Sequence, residues 1–442
     1  MDTFYLWTIG CQMNKADSER LGAALEQLGL CQADRAADAD VVVLNSCVVR
    51  QNAEDKVATR LQNLQPLKKQ HPGRVLALMG CMVGPKSDDL RQRFPYVDVF
   101  MRPQEYGPLL DLVGRRLGLD WKGCVGALAP TRPSVTCYVP IIHGCDLMCS
   151  FCIIPFRRGR QVSRPAAEVV AEVELLASRG VKEVTVLGQT VDAYGHDLPG
   201  KPDLADLLEE LNRVNGLERI RFLTSHPSFM SERIIEAVAG LPKVCEHINL
   251  PVQAGDDEVL GRMRRPYTQA EYVGLVQRIR DAIPGVSLST DIIVGFPGET
   301  EAQYQRSLGL VGELRFDKIH CAAYSPRPGT YAERRLPDDV PHDEKVRRRE
   351  RVEQLQEVIL REINSAMIGR VEEVLVESSR DGQWQGRTRS DKIVFFKDVE
   401  DSRFVGEANR LGKLVEVEIV RASPWSLQGT LVAGQTCSSQ RN

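Results

Sequence analysis

The sequence predicts an α/β protein in three parts: an N-terminal open parallel sheet, a central partial β/α barrel and a small C-terminal β-barrel. Three observations predict it. Strand-like and helix-like segments alternate over the first hundred residues. The alternation restarts near Val135 and runs through six further β/α units. Beyond Gly369 it gives way to short strands separated by Gly and Asp.

In the first part, TFYLWTI, ADVVVLN and RVLALM are short apolar runs rich in β-formers. Between them, DSERLGAALEQLG and AEDKVATRLQNLQPLKK carry apolar residues at helical spacing, with acidic residues near their starts. This βαβαβ order predicts a parallel sheet over residues 1–117. The second part, residues 131–366, has the strand segments SVTCYVPII, EVTVLGQ, RIRFLTS, EHINLPVQ, VSLSTDIIVGF and DKIHCAAYS. Amphipathic helices over Ala166–Arg179, Asp203–Asn215, Ser231–Gly240, Thr268–Ile283 and Glu301–Leu314 separate them. On such folds chemistry gathers at the C-terminal ends of the strands. Asp343–Ile368, with KVRRRERVEQLQEVILREI, predicts a long charged connecting helix. The third part, residues 369–433, contains VEEVLVES, DKIVFF, LVEVEIVRA and LQGTLV, which predict a barrel of about 65 residues.

Hydrophobic content of 43% and charged content of 26% suit a chain with a full core, and a net charge of -3 leaves anion binding to local patches. MDTFYLWTIG has no basic stretch before an apolar run, and no segment reaches the ~18 apolar residues of a membrane span. A cytoplasmic protein without membrane association, acting as a monomer, is expected. Its twelve cysteines then point to thiols kept for metal or redox work rather than to a disulfide framework.

Two groups of cysteines stand out. GCDLMCSFCIIPFRRG places Cys145, Cys149 and Cys152 within eight residues. A free thiol is mostly protonated at neutral pH, whereas a bound metal deprotonates it outright. Structural zinc would need a fourth ligand, with His143 or Cys137 available, and three unrelated core cysteines are the plainer alternative. A 4Fe-4S cluster on three thiols keeps one iron without a protein ligand. The second group is scattered: Cys11, Cys47 and Cys81 each follow an apolar run by a few small or polar residues. All C-terminal strand ends of a parallel sheet share one edge, so these three thiols are expected to converge. Cys31, Cys124, Cys137, Cys245, Cys321 and Cys437 have no such placement, and packing or surface roles are expected for them.

The first group, on a loop after the first barrel strand and with Phe151 before the last thiol, resembles the radical S-adenosylmethionine motif. IGCQMNKADSER, LNSCVVRQNAEDKV, RGRQVSRP, LTSHP, LPVQAGDDEVLGRMRR, DIIVGFPGET and YSPRPGT extend the likeness over nearly the whole chain. They are similar to methylthiotransferases of the MiaB type, which modify tRNA. The resemblance implies an auxiliary 4Fe-4S cluster on Cys11, Cys47 and Cys81, a radical 4Fe-4S cluster on Cys145, Cys149 and Cys152, and a C-terminal TRAM domain of OB-like shape. It implies that one S-adenosylmethionine methylates a sulfur on the auxiliary cluster. A second is cleaved to a radical that removes hydrogen from C2 of N6-isopentenyladenosine at tRNA position 37. An electron donor and a sulfur source are implied partners.

The same resemblance implies cofactor contacts at Gly188 and Gln189; the glycines of the turn at Gly295, ending the fifth strand, would let the backbone approach an adenine or ribose, and Ser225 after the third strand is a further candidate. Arg157, Arg158, Arg160 and Arg164, just beyond the radical motif, are candidates for phosphate pairing, as are Arg262, Arg264 and Arg265. Between Val371 and Val432, 9 Lys/Arg stand against 11 Asp/Glu, so RNA binding there needs a local face. Arg387, Arg389 and Lys392, with Phe395 or Trp384 for stacking, are the candidates. Phe156, Arg157, Thr190, Asp192, Arg264 and Pro266 depart from the usual tRNA-branch residues, and CSFCIIP is similar to ribosomal-protein relatives. Two alternatives therefore stand: methylthiolation of an aspartate in a ribosomal protein, and a non-catalytic metal-containing RNA-binding protein.

Overall fold

A computed structural model describes residues 1–48, 51–397 and 410–436. In its N-terminal part, β1 (Thr3–Thr8), β2 (Cys31–Gln32), β3 (Val41–Ser46), β4 (Val75–Gly80) and β5 (Val99–Met101) form one parallel sheet in the order β2-β1-β3-β4-β5. Every residue of β3 and β4 is buried, as expected of strands covered on both faces. Val41, Val43 and Val75 pack with Leu21 and Leu25 of helix Gln12–Gln27 and Leu109 and Val113 of helix Gly107–Leu117. Val42, Leu44 and Leu76 pack with Val57 and Leu61 of helix Gln51–Gln70 on the other side. The first helix starts ahead of the DSER segment because Cys11 takes its N-cap position.

The central part is an arc of parallel strands: β6 (Thr136–Pro140), then β9 (Glu183–Leu187), β10 (Arg219–Leu223), β11 (His247–Asn249), β12 (Ser287–Val294) and β13 (Lys318–Ala323). The two halves, β6-β9-β10 and β11-β12-β13, meet through a bridge between Ile220 and Val244. A short antiparallel pair, β7 (Ile142–His143) and β8 (Val162–Ser163), clips the base of the cysteine loop. Val184, Val186, Ile220, Phe222 and Leu288 face the covering helices, packing with Val173, Leu208, Ile235 and Val311. The alternate residues Glu183, Arg219 and Arg221 therefore face the opposite way, into the arc. They are buried there, and the C-terminal barrel supplies their partners.

That barrel closes in the order β14 (Val371–Arg380), β15 (Gln383–Thr388), β16 (Ile393–Lys397), β18 (Leu427–Thr436), β17 (Leu414–Ala422). The turn between β15 and β16 sits against the N-terminal ends of the central strands. Arg219, with a fully buried side chain, donates to the carbonyl of Arg387 (2.7 Å) and to the carbonyl and carboxylate of Glu373 (both 2.9 Å). Arg221 donates to the carbonyls of Thr388 and Arg389 (both 2.7 Å) and pairs with Glu183 at 3.0 Å. The long helix, His342–Ser365, is more than a connector: Lys345, Arg348, Val352, Gln356, Ile359 and Leu360 are buried, and Arg348 pairs with Glu299 at 2.8 Å. Among the described residues no helix is long and apolar enough to cross a membrane.

Candidate functional site: two cysteine trios

The ends of β1, β3 and β4 lie side by side, and the turns that leave them carry Cys11, Cys47 and Cys81. The turns are locked together. Cys81 N–H donates to the Ser46 carbonyl (2.9 Å), and Asn14 Nδ2 donates to the same carbonyl (2.7 Å) and to Asn45 Oδ1 (3.2 Å). Gly80 has φ +104, and a Cβ there would stand 2.4 Å from Asn45 Oδ1 and the Ser46 carbonyl, so no other residue fits this approach. Cys11 is exposed while Cys47 and Cys81 are buried. Burial pushes the Cys81 thiol up to about 11; Arg158 opposes the shift, and Cys11 and Cys47 add to it. The three thiols thus sit within electrostatic reach of one another and of one guanidinium.

Arg158 is the last residue of the short helix Ile154–Arg158, which starts two residues after Cys152. Its side chain is 2% exposed, and Nη2 donates to Asp17 Oδ2 (3.0 Å) and Asn14 Oδ1 (3.2 Å). The expectation that Arg158 meets RNA phosphate is corrected: its guanidinium points into the protein, toward the first trio. Arg164 is also engaged, bonding Glu172 (2.7 Å) and the Pro140 carbonyl (2.8 Å). Arg160 stays on the surface, paired with Asp146, and the Arg157 side chain crosses to Gly84 of the N-terminal part.

The second trio, Cys145, Cys149 and Cys152, occupies the loop between β7 and β8. Cys145 N–H donates to the Gly159 carbonyl (3.1 Å), Cys152 N–H to the Cys149 carbonyl (3.1 Å), and Ser150 Oγ to the Arg262 carbonyl (2.7 Å). Cys145 Sγ lies 3.4 Å from Thr190 Oγ1, and Arg265 Nη1 is 3.5 Å from Cys149 Sγ. Arg265 is buried, held by Tyr267 (2.8 Å) and the Pro251 carbonyl (3.1 Å), so it is not a surface phosphate ligand. Burial pushes the Cys152 thiol up to about 12, with Cys149 and Cys145 adding to the shift. A thiol held so firmly protonated is a poor nucleophile, and a metal is what displaces such a proton. Among the described residues no three His, Cys, Asp or Glu side chains could hold a metal ion. Thiols sharing one zinc stand roughly 4 Å apart, whereas those around a four-iron cluster stand farther from one another. Three thiols at each of two places are the kind of donor set that iron-sulfur clusters take.

Beside the second trio, polar atoms are buried without partners: Gln189 Oε1 after β9, and Ser225 Oγ and His226 Nε2 after β10. His226 Nδ1 accepts the Ser228 N–H (3.2 Å), which leaves Nε2 as the protonated nitrogen, a donor without an acceptor. Burial, with Arg265 adding, pushes His226 down to about 3, so the ring is neutral. Asp192 accepts the His226 N–H with both oxygens (2.8 and 3.0 Å) and is pushed up to about 8 by burial. Buried polar groups of this kind call for a partner, which a polar ligand or water can supply. Gly188 packs so closely that a Cβ would stand 2.3 Å from Ile142 Cγ2. At Gly295 the space a Cβ would take is filled by Lys345, and its N–H is taken by Glu299 (2.5 Å), which accounts for the glycine without a ligand.

On the C-terminal barrel, Arg389 pairs with Glu246 (2.7 Å), Lys392 with Asp317 (2.8 Å) and Arg387 with Asp391 (3.0 Å). The expected RNA face at these residues is corrected: Arg389 and Lys392 reach across the seam to carboxylates of the central part, and the carbonyls of Arg387 and Arg389 serve Arg219 and Arg221. Trp384 packs on the barrel core. Cys437 lies outside the described residues, and Cys137 and Cys245 are buried. Sequence reasoning missed Asn14, Asp17, Thr190, Asp192 and His226 as parts of the site. The signal for Asp192 and Thr190 was present, since both depart from the usual residue.

Three family profiles match the chain: the radical SAM superfamily over residues 139–311, uncharacterized protein family UPF0004 over residues 3–102, and the TRAM domain over residues 365–432. A tRNA-2-methylthio-N(6)-dimethylallyladenosine synthase of Herpetosiphon aurantiacus is 47% identical over 98% of both chains. Proteins of the same name from Dehalococcoides mccartyi and Chloroflexus aurantiacus are 47% and 48% identical, covering 98% and 96% of this chain and 99% and 91% of their own. Among solved structures, the radical S-adenosylmethionine methyltransferase TsrM from Kitasatospora setae, with cobalamin and a [4Fe-4S] cluster bound, superposes with a TM-score of 0.56 at 16% identity, covering 75% of this chain and 77% of that one. At that identity the likeness concerns the fold.

Proposed function

The chain belongs to the family of tRNA-2-methylthio-N(6)-dimethylallyladenosine synthases, and on that premise we propose that it converts N6-isopentenyladenosine at tRNA position 37 to its 2-methylthio form. The observation that carries the reading is the pair of cysteine trios, each on strand-end loops of its own sheet, with Arg158 reaching from one to the other. Cys145, Cys149 and Cys152 would hold a 4Fe-4S cluster with S-adenosylmethionine, which would supply one-electron cleavage of the sulfonium, and Cys11, Cys47 and Cys81 would hold a second cluster that would supply the sulfur. Radical chemistry suits the target, because an aromatic C2–H is too weak an acid for any side-chain base tuned near neutrality.

The chain's own residues do the rest. Gln189 Oε1, Ser225 Oγ and His226 Nε2 are the polar contacts offered to S-adenosylmethionine, while Gly188 keeps the strand end narrow. Arg265 donates toward Cys149 and orients it. An electron donor and a sulfur source complete the partners, and residues 1–117, 131–366 and 369–433 act as the three units of a monomer. Purified enzyme is expected to favour isopentenylated over unmodified tRNA by more than tenfold in kcat/KM. Each buried CH₂ contributes about 0.8 kcal/mol, and the group brings five carbons. Nucleoside mass spectrometry after reaction with each tRNA checks this. Equal rates, or activity confined to a ribosomal protein, would remove the substrate assignment.

For the RNA contact on the small barrel, Trp425 replaces the paired basic residues. It is 62% exposed, in the turn that the Ser426 N–H to Ser423 Oγ bond (3.0 Å) closes. Stacking of a base on an aromatic ring is worth about 1–3 kcal/mol. Trp425→Ala is therefore expected to raise KM for tRNA about fivefold or more with little change in kcat, measured by steady-state kinetics at fixed salt.

A further inference from the structure

The helix that follows the second trio ends inside the first. Arg158 uses Nη2 on Asn14 and Asp17, at 3.2 and 3.0 Å, and leaves Nη1 buried without a hydrogen bond of good geometry. Asp17 in turn leaves Oδ1 buried and unpartnered. The guanidinium, cationic at any physiological pH, is anchored by its ion pair with Asp17 at 3.0 Å. A buried N–H without an acceptor is costly, and sulfur gathered by the trio is an acceptor within reach. Groups that donate to cluster sulfurs, or place positive charge beside them, favour the reduced state.

We propose that Arg158 is a positioning residue for the first cysteine trio, its buried Nη1 donating a hydrogen bond to sulfur at that trio. The central part of the chain thereby sets the electronic character of a centre whose ligands all belong to the N-terminal part. This rests on the reading of Cys11, Cys47 and Cys81 as ligands of an iron-sulfur cluster. The plain alternative is a buried interdomain ion pair with no role toward the sulfurs.

Full-length protein with Cys145, Cys149 and Cys152 changed to Ala isolates the first cluster, whose one-electron midpoint potential is read by redox titration under electron paramagnetic resonance. Adding Arg158→Met removes both cation and donor. The reduction equilibrium is expected to fall at least tenfold, a shift of about 59 mV to lower potential. Arg158→Lys keeps the charge but loses the planar fork, and is expected to recover part of the shift. Asp17→Asn breaks the same ion pair while leaving the guanidinium, and is expected to produce no fall. A mere ion pair would lower thermal stability in Arg158→Met and Asp17→Asn alike and leave every potential unchanged. Unchanged potentials in cluster-bearing Arg158→Met and Arg158→Lys proteins overturn the proposal and leave the cluster reading intact. Should Arg158→Met not fold, Arg158→Lys against its parent decides by the same criterion. A folded parent that assembles no cluster overturns the reading, and the proposal with it.

Discussion

Changing Cys145, Cys149 and Cys152 together to Ala is expected to abolish reductive cleavage of S-adenosylmethionine and to halve the iron. Anaerobically reconstituted protein should carry about 8 iron and 8 sulfide per chain when both trios hold 4Fe-4S clusters, and the variant about 4 of each. The loss should be complete because these thiols share one short loop, where Arg265 and Thr190 address two of them directly. The other trio sits on a different sheet and offers no substitute. The fold should survive: all three residues are only partly buried, and the loop keeps its base through β7–β8 and the Gly159 carbonyl. Iron, sulfide and 5'-deoxyadenosine are measured on one preparation. Iron near 4 in the unmutated protein after thorough reconstitution would count against the cluster at the first trio.

The converse variant separates the roles. With Cys11, Cys47 and Cys81 changed to Ala, 5'-deoxyadenosine formation should persist while 2-methylthio product falls to background. The second trio draws its loop bonds from the central part, from Gly159, Arg262, Arg265 and Thr190. Emptying the first trio therefore leaves those contacts in place. Cys47 and Cys81 are buried, so their truncation carries some loss of stability, and circular dichroism must show a folded chain before activities are compared. A folded variant that still methylthiolates tRNA would make the first trio structural. One that keeps the radical cluster but loses both activities would show the two sites to be coupled.

Much of this is legible in the sequence. Strand segments such as LVEVEIVRA and EVTVL carry period-2 or continuous apolar patterns, and the structure places strands at Leu414–Ala422 and Glu183–Leu187. Convergence of Cys11, Cys47 and Cys81 followed from strand-end logic alone. Strands β2 and β5, of two and three residues, are too short to show a period, and β15 was hidden in a Gly-, Gln- and Arg-rich run. The arginines were the systematic miss. In sequence Arg158, Arg265, Arg387 and Arg389 look like surface cations. Whether such a side chain meets solvent or a buried carboxylate depends on distant residues: Asp17 is 141 positions from Arg158, and Glu246 is 143 from Arg389. Local pattern carries no trace of such pairings. The orphaned atoms of Ser225 and His226 are likewise visible only once the strand ends surround them.

The seam between the central arc and the small barrel bears on modularity. A terminal β-barrel joined by one helix invites removal, as though it were an accessory that could be cut away to leave a working engine. Here the cut would not be clean. Every hydrogen-bond partner of the fully buried Arg219 side chain belongs to the barrel, as do two of those of Arg221. Removing one partner of a buried charge typically costs 3–5 kcal/mol, a large share of what holds a domain folded. A truncated chain would therefore report on an injured engine as much as on a missing accessory. The seam makes the two parts one mechanical unit, held where the carbonyls of Arg387, Thr388 and Arg389 meet the arginines beneath them.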